Sequence, residues 1–212
     1  MNLRKGILAG VTIGALFLCI STPVQALRIE FSNVTTNDPT DAAAGAQFYV
    51  DVSYVNNQVL FTFNNIGPEA SSIADVYFDD GSLFGIALLE GSTGVSFNQL
   101  ATPADLPGGN PINFETSAGF SADSDGPAEP NGVNPGEWLN VYFTLKDGKT
   151  YSDVLSELAA GSLRIGIHVQ GFTNDGSESF VNTKVPEPST LFLLGSGLLA
   201  IGIFGKRRRN NR

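Results

Sequence analysis

Four carboxylate or amide side chains crowd the segment DSDGPAEPN: Asp123, Asp125, Glu129 and Asn131. Carboxylate and amide oxygens are the ligands of hard divalent cations, so calcium is the cofactor this cluster would hold. The EF-hand pattern D-x-[DN]-x-[DN]-G is not met, since Gly126 comes too early and no Glu stands at the twelfth position. The competing expectation is a solvated acidic turn. A second group is aromatic. Trp138 and Tyr142 fall on one face of a strand, opposite Leu139, Val141 and Phe143. Left exposed, they would stack on sugar rings; covered by the helix that follows, they would join a core. His168 is the only histidine. It has no Cys or His partner for zinc, and the chain has no G-x-S-x-G elbow. Asp79 and Asp80 before Gly81 read as a strand ending in a turn. General acid–base hydrolysis needs two carboxyl groups across a cleft with separated pKa values, and sequence spacing does not place such a pair. The expectation is a non-enzymatic domain.

These residues sit on short alternating strands. Phe48, Val50, Val52 and Tyr54 alternate with polar neighbours, and Asn56-Asn57 makes a turn before Val59, Phe61 and Phe63. Ala74, Val76 and Phe78 alternate with Asp75, Tyr77 and Asp79, and the same pattern runs through Leu139–Leu145 and Leu163–Val169. One wet and one dry face per strand predicts an all-β fold, a β-sandwich of two antiparallel sheets. Phe61 and Val141 should be buried, and Asp75 and Asn140 should point outward. One short α-helix is predicted. Tyr151, Val154, Leu155, Leu158 and Ala159 share a face, Thr150 with Asp153 starts it, and Gly161 ends it. Thr102 to Gly136 reads as a long surface loop around one strand near Ile112 to Phe120.

Both ends of the chain look like addresses. Arg4 and Lys5 precede an apolar stretch from Gly6 to Ile20 and a small-residue site at Val24-Gln25-Ala26. This is a secretory signal peptide, with cleavage expected between Ala26 and Leu27. The only cysteine, Cys19, lies inside it, so the exported chain has no disulfide. At the other end Pro186, Glu187 and Pro188 are followed by an apolar run from Leu191 to Phe204 and by the basic tail Lys206, Arg207, Arg208 and Arg209. The run has 14 residues. That gives roughly 21 Å of helix against a hydrocarbon core of about 30 Å. Gly195, Gly197 and Gly202 weaken it further. The segment suits a temporary stop with its basic end held in the cytoplasm. Three parts result: signal peptide 1–26, folded domain 27–184 and C-terminal hydrophobic helix and tail 185–212.

The C-terminal order of a PEP triplet, one hydrophobic span and an Arg-rich tail resembles the PEP-CTERM sorting signal of Gram-negative bacteria. The resemblance implies recognition by a membrane protease-transpeptidase, exosortase. It also implies an inner-membrane intermediate and a final place at the cell surface or outside the cell. Proteins of that family are associated with exopolysaccharide and biofilm, which makes extracellular polysaccharide an expected partner by analogy. The segments IADVYFDDG and RIGIHVQGFTNDGSESFVN resemble phrases of other such proteins and carry no catalytic residue over. Between Leu27 and Lys184, five basic residues stand against twenty acidic ones, a net charge of −15. A domain so charged repels nucleic acid.

Overall fold

The structure, a computed structural model, describes residues 26–183 except 80 and 174. The expected all-β character is present. It takes the form of one continuous antiparallel sheet of ten strands, rolled nearly closed, where two separate sheets were expected. In chain order the strands are β1 (Leu27–Asn33), β2 (Phe48–Val55), β3 (Gln58–Asn65), β4 (Ser72–Asp79) and β5 (Leu83–Gly91), then β6 (Phe97–Gln99), β7 (Ser121–Ser124), β8 (Glu137–Leu145), β9 (Arg164–Gln170) and β10 (Glu178–Asn182). Across the sheet they run β5-β8-β3-β2-β1-β10-β9-β4-β7-β6.

Strand β1 explains why there is one sheet. Leu27 to Glu30 pair with β2, whereas Phe31 to Asn33 pair with β10. The strand thus passes from one half of the sheet to the other, and the two inner faces meet. Phe78 of β4 lies 5.0 Å from the Phe61 ring and 4.6 Å from that of Phe143, edge to face in both cases. Such contacts add to the burial of the rings themselves. Phe61 and Val141 are fully buried, as the alternation requires. At the two free edges, the Gln99 amide donates to the Ile86 carbonyl at 3.2 Å.

Local signals account for the connections. Asn56 and Asn57 adopt left-handed φ of 51° and 64°, so β2 and β3 close with Val55 opposite Gln58. The predicted helix is α3 (Tyr151–Ala160), following α1 (Pro39–Ala42) and α2 (Ala128–Asn131), two single turns that the alternation did not reveal. Thr150 and Asp153 form a reciprocal capping box, and Gly161 ends α3 at φ 76°. Val154 and Leu158 of α3 are buried in the main core.

Two expectations are corrected. No strand spans 112–120; a 3-10 turn occupies Asn110–Ile112, and the strand comes later as β7. Asn113 at φ 51° and Gly119 at φ 83° interrupt any ladder there. Nor is this stretch only a surface loop. Ala101, Leu106 and Phe114 are buried against Tyr77 on the outer face of β4. Asp75, expected to be wet, is therefore 2 % exposed, although it does leave the sheet on the outer side.

Candidate functional site

Strands β8, β3 and β2 carry a broad outer face. The register places Trp138 beside Asn64, Asn140 beside Thr62, and Tyr142 between Leu60 and Leu88. Next along are Tyr49 and Asp51 of β2 and Arg28 of β1. Trp138 is exposed at 36 %. The alternative, that the helix covers it, fails because α3 turns Val154 and Leu158 into the core and sets Tyr151 against β2, its hydroxyl donating to the Val52 carbonyl at 2.9 Å. Trp138 and Tyr142, four residues apart on one strand, are separated by roughly 13 Å.

Polar groups on this face are pre-ordered. The Thr62 hydroxyl donates to Asn140 Oδ1 at 2.7 Å, and the Tyr142 hydroxyl donates to Glu90 Oε2 at 2.9 Å. Burial, then the bond to Glu90, raises the Tyr142 pKa, which keeps the phenol a donor. Arg28 grips Asp51 through two bonds of 2.9 and 3.0 Å and lies 3.7 Å above the Tyr49 ring. Rings flanked by fixed donors and acceptors are the usual equipment for holding a polyhydroxylated ligand against its apolar ring faces.

A second polar row crosses the other half of the sheet, on its outer side: Asn98, Asp123, Asp75, His168 and Ser179, each opposite the next. His168 Nδ1 lies 3.0 Å from Asp75 Oδ2, so the lone histidine is bound into the sheet. Asp75 Oδ1 is buried with no donor facing it. The Asp123 carboxyl is pushed up to about 6, first by burial, then by hydrogen bonding to and the charge of Asp75. Below about pH 6 Asp123 holds its proton and can donate it to Asp75. This pair is the feature sequence reading missed, because its members come from distant strands. It has the makings of acid–base chemistry, but Asp75 is covered, and cavities of about 250 and 340 Å³ lie elsewhere.

The four candidate calcium ligands point different ways. Asp123 engages Asp75. Asp125 accepts from Ser96 Oγ at 2.6 Å and from the Asn98 amide. Glu129 lies against Gly171, where its Cγ sits 2.9 Å from the place an added Cβ would take. Asn131 spends its amide hydrogens on the carbonyls of Asp125 and Pro127. Among the described residues, no group of three or more His, Cys, Asp or Glu is placed to hold a metal ion.

The expected cleavage point abuts the fold, since Leu27 is the first residue of β1. Residues 1–25 of the expected leader, the triplet Pro186, Glu187 and Pro188, and the tail Lys206 to Arg209 lie outside the described residues. Among the described residues, no helix is long and apolar enough to cross a membrane. The family model of the PEP-CTERM protein-sorting motif matches residues 184–209, directly after β10. No curated protein and no solved structure matches the chain.

Proposed function

We propose, from the premise that this chain carries a PEP-CTERM protein-sorting motif, that it is an exported, non-enzymatic envelope or matrix protein whose folded domain binds polysaccharide. A signal peptide starts export. The C-terminal apolar run holds an inner-membrane intermediate, exosortase removes the tail, and the domain reaches the cell surface or the matrix. The motif supports sorting, and the exopolysaccharide role rests on analogy.

The observation that carries the binding reading is the exposed Trp138 on a face with ordered polar neighbours. Aromatic faces dock the C–H face of a sugar, and the flanking Asn140, Thr62 and Glu90 groups meet its hydroxyls. The Asp75–Asp123 pair is the one feature that favours a hydrolase. Its buried member and covered flank weigh against that.

Retention on the host's own insoluble matrix polysaccharide tests the reading. The wild-type protein is retained, and Trp138→Ala is not, while its melting temperature stays close to wild type. Equal retention of the two removes the proposal.

A further inference from the structure

Neighbouring strands all run antiparallel, so one end of the rolled sheet collects the first residues of β1, β3, β5, β7 and β9 and the last residues of β2, β4, β6, β8 and β10. The chain enters and leaves the domain there. Leu27 opens β1, and Thr183, just past β10, donates its amide to the Glu30 carbonyl at 2.8 Å. Of the eight large apolar side chains exposed among the described residues, five lie at this end. Tyr54 and Val55 finish β2, Phe84 stands near the start of β5, Leu100 follows β6, and the Ile112 carbonyl accepts from Arg164 at the start of β9. Phe84 and Leu100 are 70 % and 65 % exposed, and they flank the seam where Gln99 donates to the Ile86 carbonyl. Leu100 holds φ 75°, a conformation costly for a bulky side chain, and gains no burial in return. Charge divides along the same axis. All four described Lys and Arg residues, Arg28, Lys146, Lys149 and Arg164, are at this end, and Lys184 follows β10 in the sequence. The other end carries Asp38, Asp41, Glu69, Glu129, Asp175 and Glu178 with no described Lys or Arg among them.

We propose that this end of the domain rests on the phospholipid surface while the C-terminal apolar run holds the chain in the bilayer. The contact rests on the inner-membrane intermediate proposed above, and not on polysaccharide binding. Chain length favours lipid as the occupant. The apolar run begins at Leu191, eight residues past Thr183. Those residues reach at most about 28 Å when fully extended, which keeps the exit end beside the membrane. Phe84 and Leu100 enter the boundary between headgroups and acyl chains, where their surface leaves water. Anionic headgroups repel the acidic end, while Lys and Arg offset the carboxylates of the end that approaches. The contact also turns Trp138, near the start of β8 and so at the far end, away from the bilayer.

The test uses the full chain carrying Cys19→Ser, reconstituted in vesicles of phosphatidylethanolamine and phosphatidylglycerol and recovered by flotation. A fluorophore is placed in turn on Phe84→Cys, on Leu100→Cys and on Ile66→Cys, the last an equally exposed apolar position past β3 at the opposite end. Nitroxide-bearing lipid should quench the first two labels several-fold more than the third. Phe84→Asp combined with Leu100→Asp, read by a label on Val55→Cys, should bring quenching down to the Ile66→Cys level. The melting temperature should hold, because both side chains are exposed. Floated chain whose Phe84→Cys and Leu100→Cys labels are quenched no more than Ile66→Cys overturns the proposal. So does shielding of those labels in detergent that rises with protein concentration, which assigns the face to a second copy of the chain. Chain that fails to float removes the membrane intermediate itself, and this contact with it, which separates the two failures.

Discussion

Asp75 and Asp123 face each other across β4 and β7, and the Asp123 carboxyl is raised to about 6 by burial and by its bond to and the charge of Asp75. Asp75 Oδ2 is held by His168 at 3.0 Å. The arrangement ties three strands together on a face that is half covered.

It makes stability depend on pH in a stated direction. The Asp123 carboxyl ordinarily titrates at 3.8, and in the fold at about 6. The folded state therefore holds a proton that the unfolded chain gives up sooner. The stabilisation is full below pH 3.8 and is lost as pH rises through about 6. Asp123→Asn replaces the titrating donor with a permanent one. At pH 7 the variant should exceed wild type by about 1–2 kcal/mol, after allowance for solvent screening, and at pH 4 the two should converge. Chemical denaturation at both pH values checks this, and a difference independent of pH contradicts it.

The core prediction concerns Phe61. It is fully buried, 5.0 Å from Phe78 and 5.7 Å from Phe143. Phe61→Ala should cost ~3–5 kcal/mol, read as a fall in denaturant midpoint at unchanged slope. An unchanged midpoint would contradict the packing of the two inner faces.

Much of this fold was legible, and where it was not the reason is physical. Strands with one wet face declared themselves: Val59, Phe61 and Phe63 are buried, and Leu60 and Thr62 are not. The same alternation runs through Leu27, Ile29 and Phe31, so β1 carried a readable signal. Strand β5 did not, because it is an edge with two register shifts and an exposed Phe84. Strand β4 misled, since Asp75 and Tyr77 are buried although they leave the sheet outward. Alternation reports which face a strand turns to the core, but not which outer face a distant loop will cover. The Tyr77 hydroxyl reaching the Pro103 carbonyl at 3.1 Å belongs to that long-range order. Trp138 was legible as an outward aromatic, and the position of α3 settled whether it stays uncovered.

Calcium gives a third prediction. Asp125 is bonded to Ser96 and Asn98, and the Asn131 amide donates to the Asp125 and Pro127 carbonyls. A cation at Asp125 would have to compete with the Ser96 and Asn98 donors that already hold its carboxylate. Melting curves in millimolar calcium and in chelator should coincide. A rise that saturates with calcium would show linkage to a bound ion and contradict this placement.

Processing is a fourth. The sorting motif at 184–209 begins after β10 ends at Asn182, so loss of the tail leaves the sheet whole. Intact mass spectrometry of envelope material should find a species starting at Leu27 and lacking Lys206 to Arg212. Recovery of the full-length chain alone from the native host would contradict exosortase processing and leave a plain membrane anchor.

The sole tryptophan of the chain reports directly on the central claim, since Trp138 is itself the proposed stacking platform. Its emission, from a ring now facing solvent, should shift to shorter wavelength and saturate as soluble matrix polysaccharide is added to the wild-type protein. Tyr142→Ala should weaken the titration by roughly tenfold, the scale of one lost aromatic contact. Emission that stays unchanged while the polysaccharide is raised to saturation of any retained binding would place the ligand elsewhere and contradict the account.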